Sequence, residues 1–517
     1  MTNLIEDSLK ETSDGFIHYS DGLTEVGLLT SAVIEPQKLI NNEEYDVIII
    51  GAGFAGLIAA RELSLRGRKV LIIEAKDRIG GRTLTTQVEN RNFEIGGTWI
   101  HWSQPHIWTE ITRYGFSLTE SKGATATRMS VLLDNGTKLK EVPMADHWVA
   151  MGKAMEKYSD VDGFQGRTVM PLPHTPFTSN EAVQMYDQLS MQDRLNQVIN
   201  SLDDNNEEII QMLLSLLSMN MQGNIAQGGF IDHLRWWALG DYDMNRMFEK
   251  LGRYKIKEGT SALARAILND CQKVTLLLST SVKSIDRTSR NSVIIRTQTD
   301  ELLIGRTAIV TVPLNALNKI EFMPPLELQK QEAITIGQCP GGIKFWVKLE
   351  KPVGNWLGFA PYPNPITMAY TDDEDGFFIV GFGPDGILDI QNIDAVEKEL
   401  NKLLPNVKVK YVLGHDWRND PFVLSTWSWY KPGQMSSSLI ALQKSEPPVF
   451  FASGDISNGW RGFIDGALES GLTSSEPPVF FASGDISNGW RGFIDGALES
   501  GLTSVRHVQQ YLTKCST

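Results

Sequence analysis

Tyr45-Asp46-Val47-Ile48-Ile49-Ile50 runs directly into Gly51-Ala52-Gly53-Phe54-Ala55-Gly56, and a second apolar run, Lys69-Val70-Leu71-Ile72-Ile73, ends on Glu74. Between them Leu57, Ala60, Leu63 and Leu65 mark a helical stretch. Strand, glycine turn, helix and strand make a βαβ unit, the place where G-x-G-x-x-G has a mechanism. The first glycine permits the tight turn, the second lets a pyrophosphate approach the backbone, and the third lets the helix pack on the strand. The free N–H groups of the helix N-terminus then face the anion. Glu74, 18 residues after Gly56, stands where a carboxylate accepts hydrogen bonds from both ribose hydroxyls and disfavours a 2′-phosphate. FAD and NAD both fit this unit.

Outward from it, residues 1–44 show no sustained period and read as a leader on a domain surface. Helical patterning dominates roughly 120–250, including 181–199, 206–219 and 230–239. Strand-like runs return at 274–278, 292–296 and 308–312, and again at 343–349 and 377–382. Such switching predicts two domains whose segments interleave. Residues 445–474 recur without a change as 475–504. Two copies are too few for a solenoid, and the repeat reads as a tandem duplication or a gene-model error.

With 48 Lys+Arg against 62 Asp+Glu, the 517-residue chain carries a net charge of −14. That argues against nucleic acid or an anionic membrane as the main partner. Cys271, Cys339 and Cys515 fit neither a disulfide framework nor a metal site. The first ten residues have neither a basic start nor an apolar run, and no stretch is long and apolar enough to span a bilayer. The expectation is a soluble, cytoplasmic protein without a metal. No organelle signal is recognisable, which leaves a peroxisomal location open, and a homodimer is allowed.

The next stretch, Glu74-Ala75-Lys76-Asp77-Arg78-Ile79-Gly80-Gly81-Arg82-Thr83, offers two guanidinium forks for phosphate oxygens around glycines that remove side chains where the backbone must come close. It is followed by Phe93-Glu94-Ile95-Gly96-Gly97-Thr98-Trp99-Ile100-His101. Here the chain resembles the flavin-containing amine oxidases, whose second signature is an acid, a short spacer and R-x-G-G-R. The resemblance runs from Tyr45 to near Leu512, closest to the fungal soluble monoamine oxidases through Gly97-Thr98-Trp99-Ile100-His101-Trp102, Arg167-Thr168-Val169-Met170-Pro171 and Gly459-Trp460-Arg461-Gly462-Phe463-Ile464-Asp465-Gly466-Ala467.

The resemblance implies an α/β fold, a Rossmann-type FAD-binding domain (45–121, 252–310 and 427–517) interleaved with an α+β substrate domain (122–251 and 311–426). It also implies FAD held by Gly51, Gly53, Phe54, Ala55, Gly56, Glu74, Ala75, Arg78, Gly80, Gly81, Arg82, Gly97, Thr98 and Trp99, with Val282 at the adenine end. Gly454 and Asp455, or their duplicates Gly484 and Asp485, meet the cofactor at the start of the closing helix. In Asn315-Ala316-Leu317-Asn318-Lys319-Ile320, Lys319 falls where many members place a lysine bonded through water to flavin N5. Trp427 and Phe463, or Phe493 in the second copy, are the two walls of a substrate cage. Members with covalent FAD have a cysteine where Thr426 stands, so noncovalent FAD is expected. His101 reads equally as a packed histidine and is not nominated as a base.

The implied activity is oxidation of a primary or secondary amine to an imine, with O2 reduced to hydrogen peroxide. Alternatives are an amino-acid or polyamine oxidase of the same fold, and an inactive scaffold disrupted by the duplication. Only one copy can serve one flavin. Because a helix from Phe493 would continue through Val505, Val508 and Leu512, the second copy, 475–504, is the preferred occupant.

Overall fold

The computed structural model describes residues 9–35, 44–202, 206–289, 291–339, 341–384 and 386–475. Phe493, Gly484 and Asp485 lie outside them.

Tyr45–Ile50 and Val70–Ile73 pair in parallel within an eight-stranded sheet. In order it runs Val274–Leu277, Val70–Ile73, Tyr45–Ile50, Leu302–Val310, Val293–Thr297, Val282–Asp286 and Glu321–Met323, with Val449–Phe451 laid parallel against Ala308 to Val310. The continuous apolar runs seen in the sequence are what a parallel strand covered on both faces requires. Val47 and Ile49 point to the helices Phe54–Leu65, Thr260–Asn269 and Ile464–Ser474; Ile48 and Ile50 point to a second core shared with the rest of the chain.

A nine-stranded sheet is assembled mainly from 128–142 and 343–414, in the order Lys138–Val142, Arg128–Leu133, Trp356–Phe359, Met368–Thr371, Phe378–Gly383, Ile343–Leu349, Val409–Gly414, Lys10–Tyr19 and Thr24–Thr30. Its last two strands correct the reading of 1–44 as a surface leader. Lys10–Tyr19 pairs antiparallel with Val409–Gly414, and Asp14 is buried against Lys76 and Arg78.

The helical stretch at 181–199 is two helices, Asn180–Asp187 and Met191–Val198. Ser190 opens the second with a capping box, accepting from the Asp193 N–H while the Asp193 carboxylate accepts from the Ser190 N–H. Those local bonds satisfy the N–H groups that a continuous helix would have paired.

The structure seats the first copy of the repeat, correcting the preference for the second. Helix Gln434–Gln443 leads directly into it. Lys444, which lies outside both copies, binds Glu327 with Nζ at 2.7 Å and offers its carbonyl to Lys330. Only residues 445–474 follow this anchor without an intervening loop. Continuity at the upstream end therefore decides the register.

Candidate active site

Gly51 turns out of its strand with φ +112°, and helix Phe54–Leu65 begins three residues later. A side-chain carbon on Gly56 would stand 2.0 Å from the Gly51 carbonyl oxygen, and one on Gly81 would stand 3.1 Å from the Gly53 Cα. The two glycine loops therefore cross backbone to backbone. The helix has no side-chain cap and no acid in its first turn, while Gly53, Phe54 and Ala55 face a cavity of about 660 Å³. Its first N–H groups remain available to an anion.

Glu74 lines the same crevice; its Oε2 accepts from the Ala52 N–H at 2.6 Å and its Oε1 from the Lys76 N–H at 2.9 Å. Burial pushes its carboxyl above the usual carboxylate range. Ala75, Gly80, Gly81, Gly97, Thr98, Trp99, Val282 and Gly454 also line the cavity, with Ser281 and Gln298 beside Val282. Arg82 lines it too, its Nη1 donating to the Thr426 carbonyl at 2.7 Å and to Asp455 Oδ1 at 2.6 Å.

Three predicted cofactor residues act from behind the wall instead. Gly56 packs under the turn. Asp455 is fully buried, one oxygen on Arg82 and the other accepting from the Leu314 N–H at 2.9 Å. Arg78 is fully buried: Nε binds Asp14 at 2.6 Å, and Nη1 and Nη2 donate to the carbonyls of Ile79, Thr83 and Gly81 at 3.0–3.1 Å. It braces the loop rather than facing a phosphate.

Burial alone would raise the Asp14 carboxyl, but Arg78, His415 and Lys76 hold it well below the usual range. Asp14, His415 and Asp420 form a group of metal-ligand types, yet the Lys76 ammonium already binds both carboxylates. A resident cation of the chain fills that place.

At the other end the cavity is lined by Trp236, Trp427, Phe463, Tyr370 and Phe382. Trp427 Nε1 donates to the Asn220 carbonyl at 2.8 Å, and Phe463 lies 5.4 Å from both Trp236 and Trp460 between ring centroids. Lys319 lines the wall from an exposed position, its ammonium on the Pro421 carbonyl at 2.9 Å, and is not the buried ammonium expected beside the flavin. His101 is buried off the cavity, Nδ1 against Ser103 and its ring 3.9 Å from that of Trp102; burial lowers its pKa.

The segment carrying Phe463 is fixed by a wholly buried cluster. Asp232 accepts from Arg235 Nε at 2.9 Å, from the Tyr430 N–H at 2.6 Å and from Arg461, whose guanidinium lies 4.1 Å from the Tyr430 ring centroid. Burial opposes the Asp232 charge, and Arg461 and Arg235 overcome it, holding the carboxyl below its usual range.

Sequence reasoning missed Trp236, Asn220, Asp14 and Lys344. Only Lys344 left a signal, as a cation inside the apolar run Ile343-Lys344-Phe345-Trp346-Val347.

The cavity fits a flavin dinucleotide on the chain's own features. The crossed glycine loops present bare backbone to the cavity, and the buried Thr426 hydroxyl on the wall has no partner among the described residues.

The sequence pattern described as flavin containing amine oxidoreductase matches residues 54–476. A pseudooxynicotine dehydrogenase of Pseudomonas sp is 38% identical over 84% of this chain and 86% of its own length. A nicotine dehydrogenase of Pseudomonas putida is 32% identical over 83% and 87%. Among solved structures, cyclohexylamine oxidase from Brevibacterium oxydans superposes with a TM-score of 0.67 at 18% identity, covering 84% of this chain and 98% of its own. These matches lend no support to the inactive-scaffold alternative. A crevice of glycines and acid at one end, an aromatic box at the other and a family pattern over most of the sequence place this chain among the flavin-containing amine oxidoreductases, to which it belongs.

Proposed function

We propose that the protein oxidises a primary or secondary amine carrying a flat apolar group, with noncovalent FAD, to an imine that water hydrolyses, and passes the electrons to O2 to give hydrogen peroxide. The observation that carries the reading is one continuous cavity joining the dinucleotide cradle to an aromatic end. When bound, the flavin supplies the acceptor for the hydride equivalent leaving the amine α-carbon.

The chain's own residues do the rest. Glu74 and the helix N-terminus orient the nucleotide, and Arg82, held by Asp455, presents its charge along the crevice. Trp427, Phe463 and Trp236 hold the substrate's apolar part and exclude water. Asn220 lines the cage with an amide nitrogen that lacks a partner among the described residues, a donor for a substrate acceptor. Thr426 supplies no thiol, in keeping with noncovalent attachment.

The names of the two Pseudomonas relatives favour an amine attached to an aromatic ring. The word dehydrogenase in both supports a second reading, an electron acceptor other than O2. The test is a yellow protein whose flavin leaves on denaturation, bleaches anaerobically with aryl-alkyl amines and recolours with air as peroxide appears. Recolouring only with an added dye acceptor selects the second reading, and flavin that no amine bleaches rejects both.

A further inference from the structure

The loop that leaves Glu74 carries Ala75 and Lys76 along the nucleotide end of the cavity and returns to it at Gly80. Its residues Lys76, Asp77, Arg78 and Ile79 are each bound by the N-terminal segment. Asp14 accepts from Lys76 Nζ at 2.7 Å and from Arg78 Nε at 2.6 Å. Asp77 accepts from the Thr12 hydroxyl and from the Ser13 N–H, both at 2.6 Å. Just past the hairpin, the Ala32 carbonyl accepts from the Ile79 N–H at 3.1 Å.

Two short paths lead from these bonds to the cavity. The Lys76 N–H is the donor on Glu74 Oε1 at 2.9 Å, so a shift of Lys76 moves the acid that faces the ribose. Lys76 Nζ also binds Asp420, whose Oδ1 accepts from the Phe422 N–H at 2.9 Å, and Phe422 and Val423 line the cavity. His415 joins the ends, with Nδ1 accepting from the Gly15 N–H at 3.0 Å and Nε2 lying 2.8 Å from Asp420. Asp14, Lys76, Arg78 and Asp420 are all buried. Two cations there face two carboxylates, and losing one carboxylate strands a buried charge.

We propose that the hairpin of Lys10–Tyr19 and Thr24–Thr30 is a clasp on the nucleotide half of the cofactor, with Asp14 as its positioning residue. This rests on the reading of the cofactor as noncovalent FAD. Asp14 lies off the cavity and acts through Lys76 and Arg78, which set where the backbone behind Glu74 runs. The N-terminal segment thus governs how tightly FAD is kept, and leaves the aromatic end alone.

The test is titration of the full-length protein, stripped of flavin, with FAD and with ADP, the part of the cofactor that the Glu74 loop holds. In Asp14→Asn both dissociation constants should rise together, by about tenfold or more, because the loop loses its counter-charge. At saturating FAD the visible circular dichroism of the bound flavin should match the wild type, which a general loosening of the fold would not allow. Thr12→Val removes one bond to Asp77 at nearly constant volume and should weaken both ligands about threefold. It serves if Asp14→Asn fails to fold. Wild-type affinities in both variants overturn the clasp. So does weaker FAD with unchanged ADP, or an altered dichroism at saturation, since either places the defect away from the nucleotide loop. A wild-type chain that cannot be stripped of flavin, or that binds neither ligand, overturns instead the reading of the cofactor beneath it.

Discussion

Gly56 carries a requirement that is steric rather than chemical. A methyl group there would meet the Gly51 carbonyl oxygen at 2.0 Å, and that atom belongs to the turn on which the cofactor crevice is built. Gly56→Ala is therefore expected to lower stability by about 1–3 kcal/mol through overpacking. It should also purify with much less flavin, read from the ratio of visible to ultraviolet absorbance; full flavin content would show that the turn can yield. The motif residues of this kind were legible in the sequence, because their spacing alone fixes what they do. Arg78 and Asp455 were legible as important but not as to place. Their side chains face Asp14 and Arg82, partners 64 and 373 residues away in sequence, and no local pattern encodes such pairs. Lys344 shows the converse: its oddness within a strand was visible, but its meaning depends on Gly96 and Thr98 across the cavity.

At the scale of the element, helix Ile464–Ser474 buries Asp465 and half-buries Glu469 one turn on. Burial pushes both carboxyls up to about 7, and the charge of Asp465 adds to the shift of Glu469. Asp465 Oδ1 accepts from the Ile107 N–H at 2.8 Å, while Asp465 Oδ2 and Glu469 Oε2 have no partner among the described residues. In the unfolded chain both ionise near pH ~4. The folded state therefore holds extra protons, and the stability this confers is complete below about pH 4 and is lost as pH rises through about 7. Glu469→Gln removes one ionisation. It should melt above the wild type at pH 8, by on the order of 1 kcal/mol, and show no such gain at pH 5. Parallel melting curves for the two proteins across pH would refute a protonated Glu469. Elements with a strong internal period, such as Phe230–Leu239 and Ile343–Leu349, were readable from sequence with their observed bounds. The hairpin Lys10–Tyr19 and Thr24–Thr30 was not, because its place is set by pairing with Tyr411 to Gly414 at the far side of the chain.

At the scale of the whole molecule, the doubled segment makes an unusual experiment available. Deleting 445–474 or 475–504 yields one and the same shortened chain, since the copies are identical. That chain keeps the Lys444 anchor, the Asp232–Arg461 cluster and both aromatic walls. It is expected to bind flavin with the stoichiometry of the full-length protein and to melt at no lower temperature. A loss of flavin on excision would mean that both copies are needed, contrary to the docking of 445–474. The interleaving of two sheets followed from the alternation of runs in the sequence, whereas the choice of copy could not, because identical segments carry no information about their own position.

The closing strand Val449–Phe451 is laid against Leu302–Val310, and helix Ile464–Ser474 behind it packs on Phe54–Leu65, an element that begins about four hundred residues earlier. A ribosome that has translated only as far as Lys444 has thus produced both glycine loops and Trp427 but neither Gly454 nor Phe463. The nascent chain has a cofactor cleft with one side missing. Capture of the dinucleotide is then a late event in biogenesis, and truncated translation products emerge colourless.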